Sequence, residues 1–159
     1  PRPWERARIV LRDAIAESAG TAAIAAVPCR GALAVNYVLD HDNPVVPVQT
    51  LQYRLDSASF ASAIAPARTF VLDDEVEALR AAGLGKGATV RNTLVVTAEG
   101  VRDNELRFAD EFVRHKVLDL LGDLSLLEAE LWARVVAVRS GHVLNAALVR
   151  RIRAAETAR

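Results

Sequence analysis

Phe112-Val113-Arg114-His115-Lys116-Val117-Leu118-Asp119-Leu120-Leu121-Gly122-Asp123-Leu124 is the stretch that decides how the chain is read. At a period of 3.6, Val113, Val117, Leu120, Leu121, Leu124 and Leu127 form one apolar stripe, which predicts an amphipathic helix starting near Asp110. His115, Asp119 and Asp123 stand at i, i+4 and i+8 and make a second, polar line along it. A neutral imidazole and a carboxylate one turn apart can reach one divalent cation such as zinc, and a carboxylate a turn further on can orient a neighbouring group. Spacing alone favours the plainer reading of a solvated helix face that carries a histidine, because ionisable clusters mark sites only some of the time.

The composition around this helix narrows the class. The 159 residues carry 20 Lys plus Arg against 20 Asp plus Glu, so no net field draws the chain to nucleic acid or to an anionic membrane. The length suits one domain with a real core. The apolar fraction of 52% is spread in short runs, none near the roughly 18 residues of a membrane-spanning helix. No opening segment reads as a secretory leader. Cys29 is the only cysteine, which excludes a disulfide framework and a thiolate zinc cluster and fits a reduced, cytoplasmic setting. The chain contains no Met and begins at Pro1, which removal of an initiator or excision from a longer protein would each explain.

Before the helix the chain is rich in strand patterns. Residues 8 to 16 and 21 to 28 read as two strands about a turn at Glu17-Ser18-Ala19-Gly20, Gly20 supplying any positive φ. Leu33, Val35, Tyr37 and Leu39 alternate with small or polar residues, as do Leu51, Tyr53 and Leu55, and each run predicts a half-buried strand. Asp40-His41-Asp42-Asn43-Pro44 between them is turn chemistry; a solvated turn outweighs a metal reading of His41, since adjacent loop residues seldom converge on one ion. Ser57 is the expected cap of a short helix that buries Phe60 and Ile64 and stops at Pro66.

Arg68 to Leu72 and Thr93 to Thr97 predict strands. Between them a helix from Glu75 to Ala82, capped by Asp73 or Asp74, turns Val76 and Leu79 inward and closes at Gly83. The Gly85-Lys86-Gly87 loop lacks Walker spacing and is not a phosphate cradle. Glu99 to Arg107 is a loop. Leu131 to Arg139 reads as a strand, and Ser140 caps a last helix over 141–156 that buries Leu144, Leu148 and Ile152, with a frayed basic tail from Arg150. Strands followed by helices predict an α+β fold over a single domain, 1–159: a two-layer sandwich of a mostly antiparallel sheet covered by helices, with a strand–helix–strand excursion at 68–97.

Several motifs then stand together. Ala65-Pro66-Ala67-Arg68-Thr69-Phe70 precedes Leu106-Arg107-Phe108 and Asp110-Glu111-Phe112, which lead into Arg114-His115-Lys116, Leu118-Asp119 and Gly122-Asp123-Leu124. Ser140-Gly141-His142 with Leu144-Asn145 follows. In that order and spacing the set resembles the second half of the UDP-3-O-acyl-N-acetylglucosamine deacetylases, zinc enzymes of the first committed step of lipid A synthesis, from about Leu33 to Ile152. The resemblance implies two α+β domains packed helix layer to helix layer. The second would carry a βαβ insert, here 68–97, that forms a passage for the fatty acyl chain.

The resemblance also implies roles. His115 and Asp119 match two zinc ligands on one helix, and water on such an ion is acidic enough to attack an amide carbonyl. His142 matches a histidine that serves the leaving amine and the oxyanion, and Asp123 the carboxylate that partners it. Thr69 matches a threonine beside the oxyanion, Phe70 an aromatic at the mouth of the acyl passage, and Lys116 a lysine that contacts the nucleotide diphosphate. Val76, Leu84, Gly87, Val90 and Leu94 would line the passage, a plain local core being the other reading of each; Lys86 there departs from the apolar pattern.

The larger departure is at the front. The family's third zinc ligand, a His preceded by a general-base Glu, belongs to its first domain, whereas the three His here are 41, 115 and 142 with no Glu-His pair. The expected cofactor is Zn2+, and the expected partners are UDP-3-O-acyl-N-acetylglucosamine and an N-terminal half of the same enzyme. Neither nucleic acid nor a transmembrane segment is expected; contact with a membrane surface stays open because the substrate is amphiphilic. The 159 residues alone should not turn over. Two other readings stand beside this one. The first is a catalytically inactive relative that binds a nucleotide-sugar lipid or a protein through its helix layer. The second is a likeness of structure only, with His115 in a satisfied polar network.

Overall fold

The computed structural model describes residues 7–157. Nine strands and four helices appear among them, in an α+β arrangement. The main sheet runs in the order β2 (Ile15–Ala19), β3 (Ala22–Pro28), β9 (Glu130–Val138), β4 (Ala34–Leu39), β5 (Gln49–Arg54), with β1 (Arg8–Val10) also pairing to β9. The β2–β3, β3–β9 and β4–β5 pairs are antiparallel, while β9 runs parallel to β4 and β1. Alternation sorts the faces as expected: Val35, Tyr37, Leu39, Leu131, Ala133, Val135 and Ala137 are buried.

Two helices, α3 (Glu111–Ser125) and α4 (His142–Thr157), cover that buried face and pack on each other, α3 over β4 and β5 and α4 over β2 and β3. The apolar stripe of α3 is the centre of the core: Val113, Val117 and Leu120 are fully buried, with Leu124 and Leu127 nearly so. Each such side chain contributes about 1.5–3 kcal/mol. The N-terminus of α3 is held by the sheet, because Gln49 of β5 accepts from Val113 N at 3.0 Å and donates to Ala109 O at 3.2 Å. The neighbouring Asp110 carboxylate takes Arg114 Nε at 2.5 Å instead of capping the backbone.

A smaller, three-stranded sheet stands beside this layer. β6 (Thr69–Leu72) and β7 (Thr93–Thr97) are parallel and joined through α2 (Val76–Ala81), and β8 (Gly100–Val101) turns back antiparallel on β7 inside the span expected as a loop. Gly83 ends α2 in the left-handed region, φ 74°. Its N–H reaches Arg80 O and that of Leu84 reaches Leu79 O, which together satisfy the last carbonyls. Among the described residues no helix is long and apolar enough to cross a membrane.

Local expectations shift in five places. The strand expected over 8–16 is two: β3 occupies β9 from Ala133 onward, so residues 130–132 have a free edge that β1 takes, and the chain then swings out to pair as β2 with β3. The β2–β3 turn is the two-residue Gly20-Thr21, with Gly20 at φ 58°. Asp56, not Ser57, caps α1 (Ser57–Ser59), accepting from Ala58 N and Ser59 N at 3.0 and 2.9 Å. Leu79 faces solvent instead of the core. The chain from Arg150 to Thr157 stays helical because Ile152 is anchored in the core; Ala158 and Arg159 of the expected frayed tail lie outside the described residues.

Candidate active site

β4 and β9 run parallel and end side by side, and both exits open on one cleft of about 560 Å³. His115, Lys116 and Asp119 reach it from α3, Thr69 and Phe70 from β6, and His142 from the start of α4. Residues scattered over more than seventy positions therefore share one concavity. Asp123 stands behind it, bonded to His142.

His115 and Asp119 form the deeper pair. The His115 Nδ1 lies 3.3 Å from Ala67 O, so the tautomer that donates there leaves Nε2 with a free lone pair. Nε2 is 3.3 Å from Asp119 Oδ1, and both largely buried side chains line the cleft. This donor set suits a borderline cation such as zinc. The other Asp119 oxygen takes Lys116 Nζ at 3.4 Å. Among the described residues no group of three His, Cys, Asp or Glu gathers to hold a metal.

His142 is built differently. It is exposed, and its Nδ1 donates to Asp123 Oδ2 at 2.9 Å, which leaves Nε2 free. Asn145, one turn into α4 and buried, donates to the same oxygen at 2.9 Å. Ser140 donates to Asn145 Oδ1 at 2.6 Å; its hydroxyl is thus committed to a side chain and not to the cap expected of it. Tyr37 donates to Ser140 O, and burial, with the nearby Asp119 charge, pushes the Tyr37 phenol well above its ordinary range, so it remains a donor. A chain of hydrogen bonds thus runs from Tyr37 of the sheet through Ser140 and Asn145 to the Asp123 carboxylate, which also accepts from His142.

Arg139 shapes the rim. Its φ of 54° lets β9 turn into α4, and its guanidinium reaches Asp40 Oδ2 at 3.1 Å and the Asp42 carboxylate. That holds the 40–44 loop, with His41, at the cleft edge, where the His41 ring stands 6.4 Å from Phe70.

A buried ion pair sets the position of β6. Arg68 and Glu111, 5% and 0% exposed, bond through Nε–Oε1 at 2.8 Å and Nη2–Oε2 at 3.0 Å. Glu111 also accepts from Arg68 N at 3.0 Å and Arg107 N at 2.6 Å. Burial alone would raise the Glu111 carboxyl, but these donors outweigh it and hold the group below its usual range. Thr69 and Phe70 follow directly, and Phe70 packs edge-on to Phe112 at 4.9 Å and His115 at 6.5 Å.

Phe70 also lines a second, more apolar groove of about 540 Å³ between α2 and the small sheet. Val76, Leu84 and Val90 are among the residues that line it. Leu94 does not: it is fully buried on the opposite face of β7, and Thr93 and Val95 take the groove side, because alternation allows a strand residue only one face. Gly87 falls in a neighbouring cleft with Lys86 and His115, since the 85–88 turn carries it away from α2.

Over residues 3–154 the chain matches the family described as UDP-3-O-acyl N-acetylglycosamine deacetylase. The chain belongs to this family. A UDP-3-O-acyl-N-acetylglucosamine deacetylase of Synechocystis sp. is 43% identical over 146 residues, 91% of this chain and 52% of the relative. One of Anaeromyxobacter sp. is 43% identical over 119 residues, 74% and 39%. One of Chlamydia caviae is 43% identical over 131 residues, 81% and 46%. The chain thus spans from about two-fifths to half the length of these curated relatives. Within this member of the UDP-3-O-acyl N-acetylglycosamine deacetylase family, sequence reasoning missed the Tyr37–Ser140–Asn145 support of Asp123 and the Arg68–Glu111 pair. Buried Asn145 and the Glu opening an apolar helix stretch were the available signals.

Proposed function

We propose that this chain supplies the second-domain half of a zinc-dependent deacetylase. The reaction is hydrolysis of the N-acetyl group of UDP-3-O-acyl-N-acetylglucosamine to acetate and the free 2-amine. The observation that carries the reading is that the His115–Asp119 pair and the Asp123-held His142 line one cleft together with Thr69 and Phe70. On this reading residues 1–159 form one domain, 68–97 are its insert, and the working enzyme is cytoplasmic.

His115 Nε2 and Asp119 Oδ1 would hold the zinc, with a third ligand and the general base coming from an N-terminal half. A bound zinc ion supplies Lewis acidity and an acidified water. Attack on the acetamide carbon develops charge on its oxygen, and the Thr69 hydroxyl, at the cleft wall, donates to it. Collapse breaks the C–N bond, and His142, entering the step as the imidazolium with both ring nitrogens protonated, gives its Nε2 proton to the amine while Asp123 holds the ring through Nδ1. Lys116 offers its cation to the nucleotide diphosphate. Phe70, shared by cleft and groove, steers the acyl chain toward Val76, Leu84 and Val90.

Elemental analysis of the purified chain, with and without the N-terminal half of a relative, tests this. Zinc near one per complex only when the halves are mixed is the expected result. That no third His, Cys, Asp or Glu joins His115 and Asp119 among the described residues also fits a second reading, an inactive relative that binds a nucleotide-sugar lipid or a protein partner. Zinc in neither sample, together with self-association, would favour it.

A further inference from the structure

The face of the main sheet turned away from the helices carries a cluster that the cleft does not use. Alternation sends Ala34 and Asn36 of β4, Gln52 and Arg54 of β5, and Arg134 of β9 to that face, opposite in phase to the buried Val35, Tyr37 and Val135. The register sets them in rows. Arg54 and Arg134 both stand opposite Ala34, on the strands to either side of it. Two guanidinium stems thus flank one methyl group, about 10 Å apart across two strand spacings. Arg30, from the β3–β4 connection, joins them, and Asn36 and Gln52 complete a concavity of about 250 Å³.

The charges there are unbalanced. Arg68, Arg114 and Arg139 each have a carboxylate, whereas among the described residues the side chains of Arg30, Arg54 and Arg134 have no hydrogen bond or ion pair, nor do the amides of Asn36 and Gln52. No outward position of β3, β4, β5 or β9 beyond Trp132 is Asp or Glu. Like charges across a sheet repel, and a concave cluster of one sign gathers counter-ions. Guanidinium forks match the oxygens of a phosphate in geometry and charge, and free amides add neutral donors.

We propose that the Arg30–Arg54–Arg134 notch is a binding site for a phosphate-type oxyanion, with Asn36 and Gln52 as further donors. The same chemistry is offered by a free phosphate and by an anionic phospholipid headgroup. The notch lies over the first half of β4 and the middle of β9, on the sheet face turned away from the helices, and shares no residue with the cleft, so it stands independently of the deacetylase reading.

The test titrates inorganic phosphate and pyrophosphate into the purified protein by calorimetry. In parallel the protein is sedimented with vesicles of phosphatidylcholine alone or with phosphatidylglycerol added. Saturable binding in at least one arm is expected, weakening about tenfold or more in the Arg54→Gln/Arg134→Gln double variant and falling as NaCl rises. Binding of the free anions alone identifies a soluble ligand, and binding of the anionic vesicles alone a headgroup; either supports the site. Both arginines are exposed and bond nothing, so the double variant should melt with the wild type in phosphate-free buffer, and phosphate should raise the melting temperature of the wild type only. Binding in neither arm, or binding that the double variant retains, would overturn the proposal.

Discussion

Asn145 and His142 bond the same oxygen: Asn145 Nδ2 and His142 Nδ1 each lie 2.9 Å from Asp123 Oδ2. The imidazole is exposed, whereas the amide is buried and tied at its other end to Ser140. The amide therefore fixes the carboxylate, and the carboxylate aims the ring. Asn145→Ala should lower kcat by about tenfold or more through loss of this support, with KM little changed. A kcat against pH profile for the two-half assembly checks it, since a change in stability alone would leave the profile's shape intact.

His115→Ala or Asp119→Ala should abolish zinc uptake and turnover in any assembly containing both halves, because one remaining ligand on α3 cannot hold the ion. Elemental analysis and an acetate-release assay read the two effects separately. Wild-type zinc content in either variant would remove His115 and Asp119 from the ligand set.

The Arg68–Glu111 pair predicts a stability loss with a pH signature. Glu111→Ala leaves the Arg68 guanidinium buried without its partner, which costs about 3–5 kcal/mol. The Glu111 carboxyl is held below its usual range in the folded state. Its contribution is therefore fully present above the unfolded carboxyl's ordinary value, about 4.3, and is lost as pH falls through the lower folded value. Urea midpoints taken from pH 7 down to pH 3 should fall less steeply in Glu111→Ala than in the wild type.

The groove beside Phe70 predicts selectivity by chain length. Val90→Trp fills space between α2 and the small sheet without touching the cleft floor. Long-acyl substrates should lose about 10–200-fold in kcat/KM, and short-acyl analogues should lose little. Equal losses on both would show that the groove does not carry the acyl chain.

Much of this molecule was legible from local pattern. The α3 stripe, the alternation of β4 and β9, and the i, i+4 placement of His115 and Asp119 depend only on helix and strand periods, which are properties of neighbouring residues. Gly83 was readable for the same reason, since a left-handed residue ending a helix favours glycine. Tertiary structure decided the rest. Whether residues 8 to 16 make one strand or two depends on which edge of β9 is unoccupied. That Asp56 caps α1, and that Leu94 faces the core while Val95 faces the groove, depends on which face each segment presents once packed. The Arg68–Glu111 pair spans 43 positions and the Asp123–Asn145 bond 22. Such pairings are set by burial, which penalises any polar group left unpaired, and not by any short-range period.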